Sequence, residues 1–224
     1  MKLVSAELSK AILSDENSVT EWIIESPNLF SCYVQELVHQ CDGEEGQFVL
    51  SDNNKIVEIS KYVEIILNPF DVEINSKKIL TKLYSDLNKL AKSEEMYLQT
   101  RQIMQGLIEY LLELEQKSDY ILGFEQEFDL ALIFKAVGIR HEIIEEDYLE
   151  SLIRYIKIVS KMLGIKVMIF VNFRSYLDDV QLEQLLKEAA YQEIQVLLIE
   201  NQQRTCLKDT FCYIIDNDKC EIFY

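Results

Sequence analysis

The sequence predicts an α/β protein with a helical insertion. Three observations carry this: a strand, helix, strand pattern in the last third, short β-branched runs in the first sixty residues, and a change to helical periodicity at Ser76.

At the N-terminal end, Ser18-Val-Thr-Glu-Trp-Ile-Ile-Glu has extended, β-branched character. Asn28 is placed to cap an amphipathic helix through His39, and Asp42-Gly43 ends it. Phe48-Val-Leu and Ile56-Val-Glu-Ile read as strands around the polar turn Asp52-Asn-Asn.

From Ser76 onward Ile79, Leu80, Leu83, Leu87, Leu90 and Ala91 share one helical stripe, with the lysines largely off it. Ser93 is a candidate N-cap for a second helix carrying Ile103, Met104, Leu107, Ile108, Leu111 and Leu112. The two long helices are expected to lie antiparallel. Tyr120-Ile-Leu-Gly-Phe-Glu-Gln-Glu-Phe returns to β character, a helix over residues 129–137 closes on Gly138, and residues 139–144 resume an extended run.

A helix over residues 146–163 stops at Gly164, and Lys166-Val-Met-Ile-Phe-Val-Asn reads as a buried strand. Residues 176–191 form an amphipathic helix and Ile194-Gln-Val-Leu-Leu-Ile-Glu a second buried strand, which together make a parallel unit with a right-handed crossover. Phe211-Cys-Tyr-Ile-Ile and Cys220-Glu-Ile-Phe flank the turn Asp216-Asn-Asp. The expected organisation is an α/β domain from residues 1–61 and 145–224, with one mixed sheet shared by both ends of the chain, and a helical domain over 62–144.

A hydrophobic fraction of 49% over 224 residues supplies an ample core. The apolar runs are far shorter than the roughly 20 residues that cross a bilayer. The N-terminal residues lack a signal-peptide pattern, so a cytoplasmic protein with no membrane partner is expected. Five cysteines without a CxxC pair match neither a disulfide framework nor a zinc site. Two histidines, His39 and His141, leave little scope for triad or His-based metal chemistry.

The net charge of −17 argues against unassisted nucleic-acid binding, but the charge is segregated. Between Lys77 and Arg101 there are six basic residues against three acidic ones. Between Glu109 and Glu150 twelve acidic residues face only Lys117, Lys135 and Arg140. A basic face on an acidic protein is therefore permitted.

Phosphate-binding loops need glycine, because only a backbone without Cβ lets several N–H groups converge on phosphate. The six glycines are scattered, and neither GxxxxGK[ST] nor GxGxxG occurs, so no nucleotide is expected. Asn172 ends the strand at 167–171 where a phosphate-hydrolysing protein would carry a magnesium-binding Asp, and reads as a turn residue. No GxSxG nucleophile elbow is present.

The carboxylates Glu125, Glu127 and Asp129, with Glu142, Glu145, Glu146 and Asp147, read either as solvated surface or as oxygen ligands for Ca²⁺ or Mg²⁺. In a strand, Glu125 and Glu127 would share a face. The lysine-bearing helix reads either as a solvated face or as one of several copies lining a channel that tracks a phosphate backbone without reading bases. Its candidate contacts are Lys77, Lys78, Lys82, Lys89 and Lys92.

Five segments taken in order resemble the short form of the Csn-two family, the CRISPR-associated adaptation proteins of type II-A systems. They are Asn68-Pro-Phe-Asp-Val-Glu-Ile-Asn-Ser, Ile79-Leu-Thr-Lys-Leu-Tyr-Ser-Asp-Leu, Phe134-Lys-Ala-Val-Gly-Ile-Arg-His-Glu, Val167-Met-Ile-Phe-Val-Asn-Phe-Arg-Ser-Tyr-Leu and Val196-Leu-Leu-Ile-Glu. The resemblance implies a head domain similar to a degenerate P-loop ATPase fold, with a helical leg. It implies a non-catalytic, ring-shaped homotetramer that binds ends of linear double-stranded DNA without sequence preference during spacer acquisition, alongside integrase proteins and the effector nuclease. It also implies calcium, with Glu125 and Glu127 similar to an acidic pair of the family's calcium-binding segment; Leu132 stands where the family has another acidic position, and Glu142 of the acidic cluster is taken with Glu125 and Glu127 as the candidate metal ligands. Two alternatives remain open at this point: a metal-dependent nuclease built on the acidic cluster, and a protein-interaction adaptor that does not touch DNA.

Overall fold

The computed structural model describes residues 1–123, 125, 129–144, 147–205, 207 and 210–224. Its secondary structure follows from local signals. Strand β1 (Lys2–Ser5) and strand β2 (Val19–Ile24) precede helix α1 (Pro27–Cys41). The cap of α1 is Ser26 and not Asn28, because Pro27 has the fixed φ suited to a first helical position and places the start two residues earlier. Strands β3 (Phe48–Asp52) and β4 (Lys55–Val57) form a hairpin through Asn53 and Asn54, both with positive φ. A single turn α2 (Ile59–Tyr62) leads into β5 (Val63–Ile66).

Helices α3 (Lys77–Ala91), α4 (Tyr97–Lys117) and α5 (Leu130–Val137) follow. Then come α6 (Tyr148–Ile158), continued by a wider turn at Val159–Leu163, strand β6 (Val167–Val171), α7 (Asp179–Tyr191), β7 (Gln195–Glu200), β8 (Phe211–Ile215) and β9 (Glu221–Phe223). Helix α7 starts later than residue 176, where Asp178 and Gln181 close a reciprocal capping box. Among the described residues no helix is long and apolar enough to cross a membrane.

The fold is mixed α/β, with two sheets among the described residues where one was expected. Among the described residues, a six-stranded sheet has the order β5-β6-β7-β2-β8-β9, parallel except for β9, and β6, α7 and β7 form the parallel unit read from the sequence. The remaining N-terminal strands form a separate antiparallel sheet, β1-β3-β4. The burial patterns explain the separation. Strand β3 alternates, with Phe48 and Leu50 buried and Val49 exposed, as suits a sheet with one wet face; β2 is buried almost throughout.

One face of the large sheet presents Trp22, Ile24, Ile169, Ile199 and Tyr213 to α1 and β3. Trp22 is fully buried there, with ring centroids 5.2 Å from Tyr33, 6.2 Å from Phe48 and 6.3 Å from Tyr213. The opposite face presents Ile23, Met168, Phe170 and Leu198, and α7 packs on β7 and on α6. Tyr155 of α6 donates to Glu64 Oε1 at 2.6 Å, and burial, then the charge and hydrogen bond of Glu64, push its hydroxyl well above the ordinary value.

The chain divides into two compact units, Met1–Ile74 with Ile144–Tyr224, and Asn75–Ile143. The division lies at Asn75 and not at residue 62, because β5 pairs with β6 inside the large sheet. In the helical unit α3 packs on α5, and α4 is not its long antiparallel partner. α5 takes that place because it is short and almost wholly apolar, and it is held by Tyr84, which donates to Ile139 O at 2.9 Å. The expected strand over 120–128 is absent among the described residues; Phe124 and 126–128 lie outside them. Residues 139–144 form no strand, and His141 is tied to Asn75 by hydrogen bonds of 2.8 and 3.0 Å.

Candidate nucleic-acid interface

Helix α3 is set by Ser76, whose hydroxyl accepts from Ile79 N at 3.5 Å, and by Ile79, which is fully buried. At about 100° per residue, Ile79, Leu80, Leu83, Leu87, Leu90 and Ala91 span an arc of about 120°. The same arithmetic puts Lys77, Lys78, Lys82, Lys89 and Lys92 within about 140° on the opposite side. Five ammonium groups therefore share one side of a helix, spaced along about 22 Å at 1.5 Å per residue.

They are not equivalent. Lys82 lies 3.0 Å from Asp86, and Lys89 lies 3.7 Å from the same carboxylate. Lys77, Lys78 and Lys92 are exposed and make no ion pair among the described residues. The arrangement suits a row of phosphates better than a folded acidic pocket, since the charges lie along a line.

Helix α4 in the same unit has no fully buried side chain; Met104, Leu107, Ile108 and Leu111 are half-buried. Ile103, Leu107, Tyr110 and Leu114 recur at spacings of four, three and four, the pattern of a coiled-coil seam. Yet Ile103 is 60%, Tyr110 57% and Leu114 41% exposed.

Glu125 and Glu142 are exposed, and Glu127, Glu145 and Glu146 lie outside the described residues. Asp129 caps α5, accepting from Ala131 N at 2.9 Å, and Asp147 caps α6, accepting from Glu150 N at 2.8 Å. Among the described residues no group of three or more His, Cys, Asp or Glu is gathered as a metal ion requires. The described carboxylates thus do not by themselves make a calcium site.

Asn172 turns the chain in the left-handed region at φ 57°, and its Oδ1 accepts from Asn201 N at 3.2 Å, tying the ends of β6 and β7. Beside it lies a cluster the sequence reading missed. Arg174, 5% exposed, donates to Glu21 Oε1 at 2.6 Å, to Thr205 O at 2.9 Å and to Asp179 Oδ1 at 3.3 Å. Burial opposes its charge, but the hydrogen bond and charge of Glu21, then those of Asp179, hold the guanidinium above its ordinary pKa. Arg174 N donates to Glu200 Oε1 at 3.0 Å, and burial pushes the Glu200 carboxyl from 4.5 up to about 7 against that hydrogen bond. The signal was present: Glu21 and Glu200 are charged residues inside runs that otherwise read as buried strands.

The fold and these two features define a mixed α/β protein whose large sheet ends in a buried ion-pair cluster, with a separate helical unit bearing a lysine arc. A family described as CRISPR-associated protein (Cas_Csn2) matches residues 40–219. The chain belongs to that family. It is also similar to a protein of Enterococcus faecalis described as "CRISPR-associated protein Csn2", 23% identical over 186 residues that make up 83% of each chain.

Proposed function

We propose that this protein binds double-stranded DNA as a ring of identical subunits during acquisition of CRISPR spacers, engaging ends of linear duplex without reading sequence. Family membership supports the coarser part, a DNA-binding role in adaptation. The observation that carries the finer part is the lysine arc of α3, five like charges on the side away from the apolar stripe. One such arc on a chain of charge −17 gives a weak field. Several copies converging on one duplex multiply it, and the exposed seam of α4 offers an apolar surface through which copies can join.

The DNA contacts in this reading are Lys77, Lys78, Lys82, Lys89 and Lys92. Calcium held by Glu125, Glu127 and Glu142 belongs to the proposal, as do a cytoplasmic location, a homotetramer, and the integrase proteins and effector nuclease of the system as partners. No nucleotide and no catalysis are invoked.

Mobility shift with linear and closed-circular duplex of the same length tests the reading. Preference for the linear form, blocked by bulky caps on both ends, is expected; equal affinity for the two removes threading from an end. A confirmed oligomer with no DNA affinity returns the adaptor reading. DNA cleavage in Mn²⁺ that is lost in Glu127→Ala returns the nuclease.

A further inference from the structure

Strands β2 and β7 run parallel with Ile23 opposite Glu200 and Glu21 opposite Leu198. Glu21 and Glu200 are therefore diagonal neighbours on one face of the sheet, about 7–8 Å apart at Cα. Both are 0% exposed. Each has one oxygen engaged, Glu21 by the Arg174 guanidinium and Glu200 by the Arg174 backbone N–H. The second oxygen of each is buried without a hydrogen-bond partner.

The charge count does not balance. Two buried carboxylates face one buried guanidinium, and a backbone N–H carries no net charge. The other described groups do not correct this. Asp179 adds negative charge and its side chain is 77% exposed; Cys212, level with Glu21 on β8, is a thiol. Arg204 is only half-buried and donates to Arg174 O and Ser175 Oγ, not to either carboxylate; its charge favours ionised Glu200 but does not outweigh the burial of that carboxyl. An unpaired buried carboxylate costs far more than a neutral carboxyl with one unsatisfied hydroxyl.

We propose that Glu200 carries a proton in the folded protein, leaving Glu21 and Arg174 as the charged pair, so that the end of the large sheet is a proton-dependent latch that loosens as pH rises. The latch joins β2, β7, the turn after β6 and the segment carrying Arg204 and Thr205, since Arg174 bonds to all of them. The carboxyl of Glu200 lies above its ordinary value of 4.5, at about 7. A raised carboxyl favours the folded state when protonated. Its contribution is complete at low pH, falls between about 4.5 and 7 as the unfolded chain ionises first, and is constant above.

Denaturant unfolding followed by emission of Trp22, the one tryptophan and buried in the same sheet, reads this out. A shift of this size changes the folding equilibrium by a few hundred-fold, on the order of tenfold per pKa unit. Glu200→Gln mimics the neutral carboxyl at every pH. It is expected to match the wild type near pH 4.5 and to exceed it by that factor above about pH 7. Parallel profiles for the two proteins overturn the proposal. Should Glu200→Gln not fold, the infrared carbonyl stretch of a protonated carboxyl in the wild type decides instead: its presence at about pH 6 supports the latch, and its disappearance by about pH 5 overturns it.

Discussion

The lysine arc makes a quantitative prediction because its members differ. Lys77, Lys78 and Lys92 are exposed and free of ion pairs among the described residues, whereas Lys82 and Lys89 share Asp86 at 3.0 and 3.7 Å. Each lysine that replaces a counterion on duplex DNA contributes about 0.9 to the slope of log K against log salt. Replacing Lys77, Lys78 and Lys92 by Ala is therefore expected to flatten the slope by about 2.7 for each arc engaged. Over a fourfold rise in salt, from about 50 to 200 mM, the wild type loses about 40-fold more affinity per arc than the variant. Asp86→Asn acts in the opposite sense. It releases two ammonium groups from an exposed pairing that stabilises the helix by at most about 1 kcal/mol, so binding is expected to tighten and the slope to steepen. Fluorescence anisotropy of end-labelled linear duplex across that salt range measures both. The effect is expected to be the same for unrelated DNA sequences, as backbone contacts require. An unchanged slope in the triple variant, or weaker binding in Asp86→Asn, would refute the assignment of α3 as the DNA-facing helix.

Arg174→Met leaves Glu21 buried without its cation and is expected to destabilise the sheet-bearing unit by about 3–5 kcal/mol, read from Trp22 emission in denaturant; a loss below about 1 kcal/mol would show that the cluster is solvated. Ile103→Glu with Tyr110→Glu puts two charges on the exposed seam of α4 and is expected to convert the oligomer to smaller species in light scattering. Unchanged mass would place the subunit contact elsewhere. Calcium chelation is expected to reduce the mass as well, and an indifferent assembly would remove Glu125, Glu127 and Glu142 as ligands.

Much of the large sheet was legible because its signals are local. The run from Val167 to Val171 is uniformly apolar, Asp178 and Gln181 announce α7, and Gly164 at φ 71° ends the preceding helix. Assigning every N-terminal strand to that sheet failed, although the alternation at Phe48, Val49 and Leu50 already marked a strand with one exposed face. Helix pairing was illegible for another reason. The stripes of α3, α4 and α5 are all apolar, and periodicity says which face is buried but not against what. The Glu21–Arg174 contact spans 153 positions, so no window along the chain could disclose it. The lysine arc was readable because a charge pattern on a helix needs only the period of the helix.

The N-terminus of α1 offers no anion site. In doubly wound sheets an anion sits where a helix follows the carboxyl end of a parallel strand, held by free backbone N–H groups. Here only Glu25 and Ser26 separate β2 from α1, Glu25 N is spent on Ile215 O at 2.9 Å, and Pro27 has no N–H to offer. Close by, Glu21 of β2 and Glu200 of β7 are buried against Arg174 in the turn after β6, whose guanidinium pairs with Glu21 and whose backbone N–H binds Glu200. The lysines assigned above to phosphate contact lie on α3, in the helical unit and not in the large sheet. On this argument, substitutions at Arg174 act through stability and those at Lys77, Lys78 and Lys92 through salt dependence, and neither set should produce the signature of the other.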